Sequence, residues 1–210
     1  MSDSVQIVNP DDSQIEFVVQ VQTDFLNSKH MCCLIPLGNC ESVSEKTKQL
    51  NAVSKVSQTS VRSYAGLALD SSGRPLGYIQ LKGHGMYCDM HKVKPGEVHV
   101  ESLAVLPEAR GKGVGRKLLQ WGEDKAKADG CSLYSLAVLK GNPALRLYER
   151  FGFVKKEADC VEACMANMFV LCCFGRPYGC CDQHFGAYDM EKKIEPGAVE
   201  GVTMDRGGGA

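Results

Sequence analysis

Between residues 98 and 105, Val98, Val100, Ser102 and Ala104 alternate with His99, Glu101, Leu103 and Val105, a period-two run that predicts a β-strand closed by Pro107. A helical period follows it. Leu118, Leu119, Ala126 and Ala128 interleave with Arg116, Lys117, Glu123, Asp124, Lys125 and Lys127, and Gly130 stops the run, which predicts a helix over 113–129.

Upstream, the pattern predicts a strand over 5–10. A helix then begins at Asp11, Asp12 or Ser13 and carries Ile15, Val18, Val19, Phe25 and Leu26 on one side. Residues 31–40 read as a cysteine-rich loop, and the polar stretch 44–58 carries only a weak helical signal. The runs 61–69 and 76–81 flank D-S-S-G-R-P and predict a hairpin, with a loop over 82–96 leading to the strand at 98. Downstream, 132–139 is a continuous apolar-rich strand of the kind found in the buried middle of a sheet. Residues 187–194 read as a last strand, and the tail 195–210 has too little apolar content to pack.

The strand at 98 and the helix at 113 meet in a turn containing Gly111, Gly113 and Gly115. Glycines there leave backbone N–H groups uncovered at a helix N-terminus, where unpaired donors and the helix dipole favour an anion. Arg110 and Lys112 add positive charge. A dinucleotide fingerprint, G-x-G-x-x-G with an acidic residue about 20 positions on, is absent, as is the phosphate loop G-x-x-x-x-G-K-[ST].

The string L-A-V-L-P-E-A-R-G-K-G-V-G-R-K-L-L resembles motif A of the GNAT superfamily of acyl-CoA-dependent N-acetyltransferases, in which Arg110, Gly113 and Gly115 fill [RQ]-x-x-G-x-[GA]. A second segment, N-P-A-L-R-L-Y-E-R-F-G-F at 142–153, is similar to the superfamily's motif B helix and the strand after it. The resemblance implies an α/β (α+β) fold, with a mixed, mostly antiparallel sheet of about six or seven strands flanked by helices. It implies a single domain over 1–194 with a cysteine-rich insertion at 159–184, where the superfamily normally has a short hairpin.

The resemblance also implies acetyl-CoA as co-substrate. Its pyrophosphate would sit on Arg110, Gly111, Lys112, Gly113, Val114, Gly115 and Arg116. Backbone groups of Leu103 and Val105 would pair with the pantetheine arm, and Asn142 would contact CoA. Tyr148 stands where many members carry a tyrosine that protonates the departing sulfur. His99 and Glu101 stand where members place the base.

The chemistry needs both roles. An alkylammonium is protonated at neutral pH, so a base or a desolvating site must free the amine, and an acid assists loss of the thiolate. Direct attack in a ternary complex requires no acyl-enzyme. The expected acceptor is the primary amine of a small molecule. A protein α-amine or lysine is the alternative, and a non-catalytic acyl-CoA-binding regulatory module is the reading from another class.

Charge narrows the partners. With 24 Lys plus Arg against 25 Asp plus Glu, nothing global draws the chain to nucleic acid or an anionic membrane. No apolar run reaches the ~18 residues of a membrane span, and the start reads M-S-D-S-V-Q, so the expectation is a cytoplasmic protein. Eleven cysteines, an odd number in a chain of this length, point to reduced thiols. Cys160, Cys164, Cys172, Cys173, Cys180, Cys181 and His184 could supply zinc ligands, but their spacing fits no standard zinc pattern and no metal is expected. Palmitoylation of L-C-C-F and a lid over the acceptor end remain open readings of the insertion, and a homodimer remains open too.

Overall fold

A computed structural model describes residues 5–14, 17–18, 62–86, 92–157 and 186–196. The expected cysteine-rich loop at 31–40, the polar stretch at 44–58, the insertion at 159–184 and all of the tail past residue 196 lie outside the described residues, as does most of the first helix.

Among the described residues seven strands form one sheet: β1 (Gln6–Val8), β2 (Ala65–Leu69), β3 (Pro75–Gly83), β4 (Glu97–Val105), β5 (Leu133–Leu139), β6 (Val154–Lys155) and β7 (Ala187–Lys193). Their order is β1-β2-β3-β4-β5-β7-β6, and only the β4–β5 pair is parallel. Helix α1 (Val114–Ala128) makes the crossover between those two parallel strands, and α2 (Leu145–Phe151) joins β5 to β6. This is the mixed, mostly antiparallel sheet with flanking helices that the resemblance implies. Among the described residues no helix is long and apolar enough to cross a membrane.

The predicted hairpin forms between β2 and β3, and its turn shows why D-S-S-G-R-P works. The Asp70 carboxylate accepts the backbone N–H of Ser72 at 2.8 Å and of Arg74 at 2.9 Å, with the Ser72 hydroxyl at 2.6 Å. Those bonds hold the Asp70 carboxyl well below the usual carboxylate range, the Ser72 hydroxyl contributing most.

Helix α1 lies on one sheet face and buries Val114, Leu118, Leu119 and Ala126 there against Ile79, Leu81, Val98 and Val100. Each valine, leucine or isoleucine side chain among them contributes about 1.5–3 kcal/mol when fully buried. The opposite face carries Ala65, Leu67 and Tyr78, covered by Val18.

The simple alternation read along β4 does not hold through the strand. Gln80 pairs with Ser102 while Leu81 pairs with Val100, so Glu101 is an extra residue in β4, a β-bulge. The bulge resets the phase. Val98 and Val100 before it, and Leu103 and Val105 after it, all pack in the cluster under α1. His99, Ser102 and Ala104 lie opposite Lys82, Gln80 and Tyr78 and share the other face. The alternation along 98–105 would put His99 and Glu101 on one face, and the bulge interrupts that period at Glu101, two residues after His99.

Helix α1 is tied to the far side of the sheet by charge. The buried Glu123 carboxylate bonds Lys192 of β7 at 2.6 Å and Lys127 at 2.8 Å. Burial pushes its carboxyl up, but the two lysines outweigh burial and hold it below the ordinary value. A carboxyl depressed in the folded state adds stability above its unfolded pKa and loses it as pH falls through the folded one. Glu123→Gln should therefore cost about 2 kcal/mol at pH 7, a typical worth for charge-assisted hydrogen bonds. In urea melts, the gap between the wild type and the variant should shrink as pH drops below about 4. A gap equal at pH 7 and pH 3 would contradict the ion-pair origin.

Candidate functional site

Among the described strands, the centre of the sheet is open. Strand β4 pairs with β5 only from Glu97 opposite Leu133 to Val100 opposite Leu136. Beyond that point β4 continues along β3 to Val105, while β5 continues along β7 to Leu139. No described strand pairs with the edge of β4 over Glu101–Val105. Exposure follows the divergence: Ala137, in the middle of a central strand, is exposed, and every residue from Glu101 to Val105 is only half-buried. A strand edge left this way presents backbone donors and acceptors to an extended partner. Leu103 and Val105, singled out by motif position, lie on it.

At the end of that edge comes the glycine turn. A 3₁₀ turn at Pro107–Ala109 leads to Arg110, whose Nε donates to the Val105 carbonyl at 3.1 Å. Gly111 and Gly113 have φ of +75° and +81°, a left-handed conformation that costs a residue with a Cβ about 1–2 kcal/mol. A methyl group on either would meet no atom within 4 Å, so both face open space. Gly113 is the N-cap of α1, no side chain caps the helix, and its first turn holds no acidic residue. Arg110, Lys112, Arg116 and Lys117 are exposed around it. The turn is therefore a cluster of uncapped backbone N–H groups ringed by cations, which suits a phosphate.

Gly115 and Val114 differ from the rest of the turn. A Cβ on Gly115 would lie 3.0 Å from Leu147 Cδ2, and Val114 is buried in the core. Their side-chain positions set how closely α1 approaches α2 and β4, while their backbone N–H groups, in the first turn of the helix, stay among its uncapped donors.

On the face away from α1, a row of buried polar side chains crosses three strands. Lys82, His99 and Ser135 occupy adjacent register positions on β3, β4 and β5, and Glu97 lies two residues before His99. His99 Nδ1 is 2.9 Å from Ser135 Oγ, whose hydroxyl donates to Glu97 Oε1 at 2.5 Å. Glu97 Oε2 accepts the Lys94 backbone N–H at 2.9 Å. On the same face, Ser102 Oγ is buried without a hydrogen-bond partner. Sequence reasoning selected His99 but missed Ser135 and Glu97. The available signal was a serine inside an otherwise apolar buried strand, L-Y-S-L-A-V-L.

Tyr148 sits on α2, buried in the α1-side core edge-on to Phe153, with ring centroids 6.2 Å apart. His99 and Tyr148 thus approach the sheet from opposite faces. Glu101 occupies the bulge between them in sequence, at the mouth of the opening. Asn142 Oδ1 accepts the Ala144 backbone N–H at 2.9 Å, so its carbonyl end organises the entry to α2. Cys131 is the one cysteine among the described residues, and burial, then the Asp129 carboxylate, push its thiol up, away from the thiolate form. Among the described residues no group of three or more His, Cys, Asp or Glu could hold a metal ion, and the cysteines at 160–181 lie outside them.

Comparison with known proteins gives this geometry a context. The profile of the acetyltransferase (GNAT) family matches residues 33–153. A thialysine N-epsilon-acetyltransferase of Sus scrofa is 35% identical over 86 residues, which cover 40% of this chain and 50% of that enzyme. The chain thus matches about half the length of this relative. In structure, the PaiA N-acetyltransferase of Thermoplasma acidophilum, solved with coenzyme A, is similar with a TM-score of 0.60 at 17% identity, over 91% of this chain and 99% of that one. The spermidine N-acetyltransferase of Vibrio cholerae, solved with CoA and spermine, is similar with a TM-score of 0.56 at 17% identity, over 90% and 95% of the two chains. At such identities the likeness of these structures is one of fold.

The two kinds of glycine separate experimentally. Gly113→Ala should lose about 1 kcal/mol in urea unfolding, and Gly113→Asn less, because asparagine tolerates the left-handed conformation. Gly115→Leu, forced against Leu147, should lose about 1–3 kcal/mol, as overpacked cores do. Equal costs for alanine and asparagine at 113 would remove the conformational account.

Proposed function

Because this chain belongs to the acetyltransferase (GNAT) family, we propose that it transfers the acetyl group of acetyl-CoA to the primary amine of a small molecule, by direct attack within a ternary complex. The observation that carries the reading is the β4 edge that no described strand pairs, which runs straight into the uncapped, cation-ringed N-terminus of α1. An acyl-CoA has the same two parts in the same order: an extended arm of amides, then a pyrophosphate. The Glu101–Val105 edge suits the arm, and Gly111, Lys112, Gly113 and Arg116 suit the pyrophosphate. The thioester then falls where β4 and β5 part.

At that point the chain's own groups supply the proton transfers. His99, in its neutral form, takes a proton from the acceptor nitrogen, directly or through water, with Glu101 at the bulge as a second basic group beside the path. The amine lone pair forms the new C–N bond at the acetyl carbon as the C–S bond breaks. The Tyr148 hydroxyl donates its proton to the departing sulfur, and the protein returns to its starting state once the tyrosinate regains the second proton that the acylated nitrogen sheds and His99 releases its own to solvent. Cys131, held as a thiol, takes no covalent part. A small-molecule acceptor is supported by the thialysine relative and by the spermidine enzyme of similar fold, both named for small amines. The unpartnered Ser102 hydroxyl, buried on the His99 face, offers the acceptor a polar contact that would relieve its own unsatisfied state.

Thiol release from acetyl-CoA over a panel of amines tests the activity. At least one small primary amine should support turnover, and binding of acetyl-CoA without release of CoA by any amine would overturn it. With the best acceptor, Tyr148→Phe should lower kcat more than tenfold while leaving the acetyl-CoA KM within about twofold, the pattern of an interaction made only in the transition state. An unchanged kcat would take the acid role from Tyr148.

A further inference from the structure

Resting on the reading of His99 as the base, we propose that Ser135 and Glu97 are positioning residues that lock its ring in the tautomer protonated on Nδ1, so that the lone pair is held on Nε2 for the acceptor amine. The geometry argues this step by step. A carboxylate accepts hydrogen bonds and donates none, and Glu97 uses both oxygens that way, Oε2 with the Lys94 backbone N–H and Oε1 with the Ser135 hydroxyl. Ser135 has a single hydroxyl hydrogen, and at 2.5 Å it is committed to Glu97. Towards His99, 2.9 Å away, Ser135 Oγ can therefore only accept. The hydrogen between them belongs to His99 Nδ1. In a neutral imidazole the other nitrogen is then the base.

A purely structural role accounts poorly for this arrangement. A sheet interior is satisfied by valine, whereas burying a carboxylate, a hydroxyl and an imidazole incurs desolvation that their mutual hydrogen bonds at best offset. The triad also stands at a particular place. His99 and Ser135 are register partners in the second-to-last pair before β4 and β5 separate, so the locked ring sits beside the opening. The hydroxyl is an intermediary with a purpose. It carries the orienting effect of the carboxylate to the ring while keeping Glu97 itself one hydrogen bond away from the reacting nitrogen. Holding a histidine in the correct tautomer is a recognised source of rate in acyl transfer.

The tautomer can be read without activity. Two-bond ¹H–¹⁵N correlation spectra of the full chain labelled at its five histidines identify His99 by the signal that His99→Gln removes. At a pH where the ring is neutral, the wild type should show His99 protonated at Nδ1. Ser135→Ala and Glu97→Gln should shift it towards the Nε2–H form, and Ser135→Thr, which keeps the hydroxyl, should restore it. In the thiol-release assay the first two should lower kcat about 10- to 100-fold, a part of what a general base contributes. Their acetyl-CoA KM should stay within about twofold, and Ser135→Thr should recover most of the rate. A wild-type ring protonated at Nε2 overturns the lock. So does a Ser135→Ala variant that melts like the wild type and keeps both tautomer and kcat. A wild type with the Nδ1–H tautomer that releases no CoA with any amine instead overturns the acetyltransferase reading, leaving the lock as geometry alone.

Discussion

Everything at the site depends on the point where β4 leaves β5. Backbone donors and acceptors in a sheet interior are normally all paired, and an unpaired stretch in a central strand is costly unless something else meets it. Here the parallel ladder ends at Val100 opposite Leu136, and one residue later β4 carries its bulge at Glu101. The extra residue adds twist, which helps β4 follow β3 away from β5. It also keeps the core continuous. Without the phase change Leu103 and Val105 would point away from α1, and the helix would pack on Ser102 and Ala104 instead. One inserted residue thus opens the sheet and preserves the apolar surface that holds the helix.

Helix α1 is fixed at both ends of this opening. Its start is set by Val114 in the core, by the bare surface of Gly115 against Leu147 and Val105, and by Arg110 bonded to the Val105 carbonyl. Further along, Glu123 anchors it to Lys192 on β7, the strand that β5 follows. The helix therefore bridges the two diverging halves of the sheet and holds its uncapped N-terminus at the end of the β4 edge that no described strand pairs. Donors and cations are in place before any ligand arrives, so binding need not bear the cost of ordering them.

How much of this was legible depends on sequence distance. The strand, turn and helix from Val98 to Ala128 are local, with period and breaker residues in one contiguous stretch, and they were read to within about two residues. The hairpin was legible for the same reason, since Asp70, Ser72 and Arg74 lie within a few residues of one another. The family resemblance rested on two such local strings. The bulge was not legible, because Glu101 is extra only relative to Gln80 and Leu81, and pattern reading along one strand carries no register. Nor was the His99 relay, because Ser135 lies 36 residues from His99 and 38 from Glu97, brought close only by the parallel pairing of β4 and β5. Gly115 belongs with Gly111 and Gly113 by composition, and only the structure shows that its missing side chain also makes room for Leu147.

The two-sided construction bears on the proposed chemistry. Transfer from a thioester to an ammonium asks for a base on the acceptor side and an acid on the sulfur side, active at the same pH. Adjacent acid and base would simply hydrogen-bond to each other, and each would shift the other's proton affinity. Here Tyr148 lies in the apolar core on the α1 side, among Phe153 and its neighbours, while His99 lies in the polar row on the opposite face, bonded through Ser135 to Glu97. The two groups thus sit in different layers of the fold, one apolar and one polar. On the proposed reading, a substrate lying in the gap between β4 and β5 would lie between these two layers, so that the proton taken at one face and the proton given at the other would be coupled through the reacting carbonyl.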